Sequence, residues 1–214
     1  CLSALKAQTF SDFEVIVVND GSTDTTPQIA SLHPTIKTFR HQTNLGLSTA
    51  RNTGLAAATG EIVAFTDADC RADEDWLYHL VGDLLNSEFA GMGGHNFLPP
   101  DDSSVAAAVL VSPGGPAHVM LTDRLAEHVP GCNMAFYKWG LEEVGGFDAR
   151  IARGLDEVDL CFRLARRWRI VCLDEPLIRY RLHGANISAE PVGTYRGYIQ
   201  TYEKLLMLPK AEAP

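Results

Sequence analysis

Two short apolar runs in this chain end in the same way. FEVIVVNDGSTD (13–24) and EIVAFTDADC (61–70) each carry β-branched residues into a turn rich in carboxylates. Their length and composition predict buried strands. Between and after them the pattern changes period. Asp24 is placed to cap a helix to about residue 32, with Pro27 tolerated in its first turn. Thr35 to Arg40 reads as a strand, and Leu47 to Ala58 as a helix closed by Gly60. Asp73 is placed to cap an acid-led helix carrying Trp76, Leu77, Leu80, Val81 and Leu84. Strands alternating with helices at this spacing predict the α/β class, with a mostly parallel mixed sheet flanked by helices. Ligands of open parallel sheets bind outside the carboxyl ends of the strands, so both acidic ends are expected to face one crevice.

From residue 88 the rhythm loosens. FAGMGGHNFL and VPGCNMAFY are strand-like, AAAVLV is a short helix or apolar segment, and SPGGPAH is a loop. LEEVGGFDARIARG reads as a helix and a glycine-broken loop, and DEVDLCFRLARRW as a clear helix. RIVCL and LIRYRLH are two strands, and Tyr195 to Leu208 a closing helix. Neither repeat nor linker divides the 214 residues. The expectation is a single domain in two halves: 1–97 for nucleotide binding, 98–214 for the acceptor and catalysis.

The net charge of −9 disfavours nucleic acid as a partner. The five cysteines are scattered and form no C-x-x-C, which points to a reducing compartment rather than a disulfide framework or zinc ribbon. There is no G-x-G-x-x-G after the first strand, no G-K-[ST] and no G-x-S-x-G. That disfavours dinucleotide, P-loop and nucleophile-elbow chemistry. A phosphate-rich ligand would therefore need its positive charge from a metal held by carboxylates. Asp67 and Asp69, two apart on an emerging strand end, are hard oxygen ligands suited to Mg²⁺ or Mn²⁺. Asp20, followed by Gly21, is placed to accept from a ring N–H or a ribose hydroxyl.

Four ordered blocks carry a family resemblance: VVNDGSTD, NLGLSTARNTGLAAATGEIVAFTDADC, GCNMAFYKWGLEEVGGFD and GLDEVDLCFRLARR. Together they resemble the family 2 glycosyltransferases, an inverting group with the GT-A fold. The resemblance implies transfer of a sugar from a nucleoside-diphosphate donor to a carbohydrate or lipid-linked hydroxyl. It implies that Asp20 holds the base, that Arg51 lies near the nucleotide, and that Asp67 and Asp69 surround the metal-bound diphosphate. His183 matches a further metal ligand of some members. The family's E-D-x-D-L helix start reads here Asp156-Glu157-Val158-Asp159-Leu160. Glu157 thus stands where an aspartate base is usual, and the assignment is open between Glu157 and Asp156. Asn133, Trp139 and Asp159 are expected on the acceptor side. The family's order also places a strand and a P-x-Y-N-like turn before CLSALKAQTF, so the domain is expected to be incomplete at its start.

Plainer readings compete with each assignment. Asp20 with Gly21 could form only an Asx turn, and TDAD could be a capping cluster. Arg51 could form a surface ion pair, Asp159 is spaced for an i,i+4 pair with Arg163, and His183 could be a surface histidine. Trp76 and Trp168 read as core. The basic run RLARRWR reads as a solvated helix face, the alternative being a lipid-headgroup contact at the inner face of the cell membrane. The rival functions are a nucleotide-sugar-binding module without transfer activity, within a larger synthase, and a nucleotidyltransferase. The latter would need a basic, glycine-rich loop near the first strand.

Overall fold

The computed structural model describes residues 1–98, 119–120, 125–151, 155–181 and 191–207. Helix α1 (Leu2–Lys6) leads to β1 (Ile16–Asp20), α2 (Thr26–Ser31), β2 (Lys37–His41), α3 (Leu47–Ala57) and β3 (Ile62–Phe65). A short β4 (Cys70–Ala72) and α4 (Trp76–Leu85) follow, then β5 (Gly91–Phe97), β6 (Val119–Met120), β7 (Ala126–His128) and β8 (Met134–Tyr137). Helices α5 (Lys138–Glu143) and α6 (Asp156–Ala165), β9 (Ile170–Tyr180) and α7 (Pro191–Leu206) complete the order.

The strands form a parallel β1–β2 pair, a five-stranded sheet in the order β3-β8-β5-β9-β4, and a β6–β7 hairpin. The α/β class and the mixed, helix-flanked sheet agree with the sequence. The balance of directions does not. Within the five-stranded sheet only β5–β9 is parallel, whereas β3–β8, β5–β8 and β4–β9 are antiparallel. Alternation of strand and helix fixes direction only where each strand follows a crossover, and β8 and β4 enter the sheet without one. The expected pair of strands near the chain's end is one strand, β9. Its Asp-Glu-Pro interruption is absorbed as a bulge, where the partner of Gly94 is Leu173 and that of Asn96 is Ile178.

The sheet separates two cores. On one face α1 and α4 bury Leu5, Trp76, Leu77, Leu80 and Leu84 against Met92, Ala135 and Ile178. On the other, α3, α5 and α6 bury Leu55, Leu141, Leu160 and Leu164 against Val63, Met134 and Phe136. The period-2 pattern of β8 does this, with Met134 and Phe136 on one side and Ala135 on the other. Each fully buried side chain of this size contributes about 1.5–3 kcal/mol. Phe65 pairs with Met134, so Asp67, two residues on, emerges beside the loop that precedes β8. AAAVLV and SPGGPAH lie outside the described residues.

Candidate functional site

Arg51 is the hub. It sits on the face of α3 turned into the protein and is buried. Its Nη1 donates to Asp156 Oδ2 at 2.8 Å, and its Nη2 donates to the Gly131 carbonyl at 3.0 Å. Asp67 Oδ1 lies 3.6 Å from Nη2 and Glu157 Oε2 3.9 Å from Nη1. The guanidinium carbon stands 5.3 Å from the centroid of Phe147, whose backbone N–H and C=O are both held by the Asn52 side chain. Gly131 is glycine for a steric reason: a Cβ there would meet Nη2 at 2.6 Å. Leu155, directly before Asp156, holds φ at +64°. A bulky residue in the left-handed region costs about 1–3 kcal/mol and is kept only where the surroundings enforce it. Here it turns the chain into α6 so that Asp156 enters the interior and Glu157 faces the cluster.

One cation thus meets three carboxylates from two distant parts of the chain. Burial works against the charge on Arg51, but Asp156, Asp67 and Glu157 outweigh it and keep the guanidinium protonated. Burial pushes the Asp67 carboxyl up; Arg51 pulls against this, and Asp69 and Asp156 add to the rise. Glu157 is pushed up to about 8, by burial first and then by Asp156, with Arg51 opposing. A hydrogen bond with Asp156 also favours the protonated form of Glu157. Asp156 Oδ1 is buried and has no hydrogen-bond partner among the described residues. Glu157 is therefore the carboxyl of the cluster that can gain or lose a proton near neutral pH.

Asp20 lies at the end of β1 in a second network. Its Oδ1 accepts from Leu45 N–H at 2.9 Å and faces His41 Nδ1 at 2.7 Å, while Oδ2 accepts from Gly46 N–H at 2.8 Å. His41 Nε2 contacts Thr53 Oγ1 at 3.0 Å. Burial raises the Asp20 carboxyl, but the bonds from Leu45, His41 and Gly46 outweigh it and hold it below its ordinary value. Gly21 has φ +72°, and a Cβ there would stand 2.6 Å from Asn44 N. Gly21→Ala should therefore cost at least about 1 kcal/mol in stability, read as a lower denaturation midpoint. The side chain that closes this turn is Asn19, whose Oδ1 accepts from Ser22 N–H at 2.8 Å.

Residues 1–138 match the family model described as glycosyl transferase family 2, more than half of the 214-residue chain. The chain belongs to that family. An uncharacterized glycosyltransferase of Nostoc sp. is 32% identical over 200 residues, covering 86% of this chain and 60% of the relative. The pre-mycofactocin glycosyltransferase of Mycobacterium tuberculosis is 31% identical over 160 residues, 70% of this chain and 33% of that protein. A mannosyltransferase from Pyrobaculum calidifontis, solved with GDP-Man and Mn²⁺, superposes with a TM-score of 0.74 at 24% identity, over 99% of this chain and 60% of that one. Residues 1–349 of TarS from S. aureus, solved with UDP-GlcNAc, give 0.74 at 20% identity, over 98% and 62%. The architecture is GT-A. The chain spans about 60% of the length of the Nostoc relative.

The family 2 match ends at residue 138, so the acids of α6 enter the site on geometry alone. The donor set fits a hard divalent cation. Asp67 and Asp69 supply oxygen only, and both add negative charge beside Arg51, the Asp67 carboxyl being pushed up by burial first and then by Asp69 and Asp156. Among the described residues no group of three His, Cys, Asp or Glu side chains is placed to hold a metal. Two carboxylates with substrate phosphates completing the shell is the arrangement Mg²⁺ commonly takes. His183 lies outside the described residues.

The structure gives the three acceptor-side candidates of this family 2 chain partners within the protein. Asn133 is fully buried, its Oδ1 accepting from Trp76 Nε1 at 2.9 Å and its Nδ2 donating to the His95 carbonyl at 3.1 Å. It joins strands to α4 and has no surface to offer a ligand. Trp139 is half-exposed and stands beyond the end of β8, where Tyr137 pairs with Ile62 at the start of β3. At about 3.3 Å per residue that lies on the order of 15 Å from Asp67. There it stacks on Tyr137 at 5.8 Å and meets Trp168 edge-on at 5.0 Å. Asp159 is fully buried and bound to Arg163 Nε at 2.8 Å and Lys204 Nζ at 2.5 Å, fastening α7 to α6. Asp159→Ala removes the carboxylate that joins the two cations, but Arg163 keeps the Val144 carbonyl and Lys204 keeps Asp148, so it should cost about 1.5–3 kcal/mol in denaturant unfolding. Asp159 and Arg163 form the i,i+4 pair that their spacing predicts, and Trp76 is core as expected. The contacts of Gly131 and His41 had no local signal.

Proposed function

We propose that this domain transfers a sugar, with inversion, from a nucleoside-diphosphate donor to a hydroxyl of a carbohydrate or lipid-linked acceptor. The observation that carries the reading is the buried Arg51 cluster, which joins Asp67 at the end of β3 to Asp156 and Glu157 at the start of α6. Asp20 offers its remaining lone pairs to the base or ribose, oriented by the Leu45 and Gly46 amides and by His41. Glu157, once ionised, takes the acceptor hydroxyl's proton, while Asp156 and Arg51 hold it in place. Asp67 and Asp69 would hold Mn²⁺ or Mg²⁺, which when bound would stabilise the negative charge of the leaving diphosphate as a Lewis acid. A single displacement needs one base and no protein nucleophile.

We place the reaction in the cytoplasm, at the membrane's inner face where the acceptor is lipid-linked. Among the described residues no helix is long and apolar enough to cross a membrane. In the basic run, Arg163 is bound to Asp159 and Arg167 to Glu143.

One observation favours a binding module without transfer. A Glu157 carboxyl near 8 is largely protonated at neutral pH and cannot then act as a base. Release of nucleoside diphosphate from a panel of nucleotide sugars, with and without acceptors, separates the two readings. Transfer predicts acceptor-dependent release. Donor binding by thermal shift with no release under any condition would establish the module instead. In the same assay EDTA should abolish release, and Asp69→Ala should lower it by roughly 100-fold or more, since the metal contributes several kcal/mol. Undiminished turnover in EDTA would exclude the metal-dependent reading.

A further inference from the structure

Asp20 is more fully engaged than its place at a strand end suggests. A carboxylate has two oxygens and about four lone-pair positions. Asp20 Oδ1 accepts from Leu45 N–H and faces His41 Nδ1, and Oδ2 accepts from Gly46 N–H. The carboxyl is held below its ordinary value, so it is ionised and can only accept, and Nδ1 must be the donor. Oδ1 is therefore filled from both sides, and what the carboxylate has left lies on Oδ2 alone. These donors are fixed in place. His41 and Asp20 are paired residues of β2 and β1, and Thr53 Oγ1 holds the imidazole from its far side, 3.0 Å from Nε2. The Leu45 and Gly46 amides lead into α3 on a loop that passes close by Gly21. A Cβ on that glycine would stand 2.6 Å from Asn44 N and from the Thr43 carbonyl carbon.

An acceptor confined to one oxygen tells the nucleobases apart by their edges. Uracil and thymine present a single ring N–H between two carbonyls. Guanine presents a ring N–H and an exocyclic N–H₂ side by side, a fork that a carboxylate meets with both oxygens. Here one prong would arrive at Oδ1, where His41 and Leu45 already stand. Adenine and cytosine carry a ring acceptor where the N–H is needed, which sets a lone pair against an anion. We propose that His41, by filling Oδ1, makes Asp20 select a base with one imide N–H, so that the donor is a uridine or thymidine diphosphate sugar. The shared chemistry is an N–H flanked by two carbonyls. In this role His41 touches no nucleotide; it acts through Asp20, as a positioning residue. The inference rests on the reading of Asp20 as the group that holds the base, and adds which base it holds.

Calorimetric titration of the full-length protein with UDP, dTDP, GDP, ADP and CDP, at one fixed Mn²⁺ concentration, tests this without turnover. The diphosphate is common to all of them, so differences in affinity report the nucleoside. UDP or dTDP is expected to bind at least about tenfold more tightly than GDP, ADP or CDP, because a polar edge left unpaired is rejected. Equal affinity for UDP and dTDP would mean that the imide edge alone is read. A gap of roughly tenfold between them would name the tighter one as the donor's nucleotide. His41→Phe keeps a ring, removes the donor and frees a lone pair on Oδ1, so the preference over GDP should shrink to about threefold or less. His41→Asn, whose amide nitrogen can stand where Nδ1 does, should keep the parent's preference. The parent's ranking decides the matter even where a variant does not fold. GDP binding the parent as tightly as UDP would overturn the inference alone. So would His41→Phe weakening every nucleotide equally, which is what a merely structural role predicts. Nucleotides that fail to bind, or that bind alike to the parent and to Asp20→Ala, would overturn the base-holding reading and this inference with it.

Discussion

Arg51→Met is expected to destabilise the domain by about 3–5 kcal/mol, the usual cost of leaving a buried charge without its partner. Asp156 would be stranded in a site only 1% exposed, and the Gly131 carbonyl would lose its donor. Against a total stability of about 5–15 kcal/mol this is a large fraction. Equilibrium unfolding in urea measures it. Arg51→Met combined with Asp156→Leu should recover much of it, since an apolar pair often replaces a buried ion pair at little cost. That double variant keeps the test meaningful where the single one does not fold. A single variant within about 0.5 kcal/mol of the parent, the scatter of ordinary surface substitutions, would mean the guanidinium is not the cluster's keystone.

Glu157→Gln should separate stability from chemistry. The amide keeps the shape of the side chain and can still donate to Asp156, but it cannot accept a proton. Transfer should fall by about 10²–10⁴ while donor affinity persists. In the parent, the rate with free enzyme should climb with pH through an ascending limb near 8, where Glu157 ionises. The variant's residual rate should lack that limb. Stability moves the opposite way. From its ordinary value of 4.5 up to about 8, the folded state holds a proton on Glu157 that the unfolded state has released. Stability contributed by this group is therefore present below about 4.5 and is lost as pH rises through about 8. Glu157→Gln should remove that slope and leave the variant the more stable of the two at pH about 9. If Asp156→Asn abolished the limb and Glu157→Gln left it, the base would be Asp156.

The strands that end at Asp20 and Asp67 were legible because their signals are local: β-branched runs, then turn residues. The same holds for α4 and α6, whose buried residues follow the helical period. The meeting of Arg51 with Gly131 and Asp156 was not legible, since the partners stand 80 and 105 residues apart. Nothing near Arg51 in sequence distinguishes a buried hub from a surface ion pair. The end of the sheet at which Trp139 stands was not legible, because it depends on the direction of β8, which periodicity does not encode. Asn133 and Asp159 show the complementary difficulty. A polar residue within a motif reads as a ligand contact until its partners, Trp76 in one case and Lys204 in the other, are known to have taken its bonds.

The separation of β1–β2 from the larger sheet carries a kinetic consequence. These strands pair only with each other among the described residues, and most of their side chains are partly or fully exposed. A two-stranded unit is marginal by itself and here leans on α3. Its amides should exchange with solvent through openings far less costly than those of β5 and β9. Asp20 rides on this loosely moored ribbon, while Asp67 and Glu157 stand on the slow-exchanging body. A nucleotide gripping both would find its affinity scaled by the fraction of time the ribbon is closed. Bound nucleotide should in turn slow exchange at Ile16–Asp20 and Lys37–His41, so that recognition of the base is written as protection in the part of the molecule that otherwise breathes most.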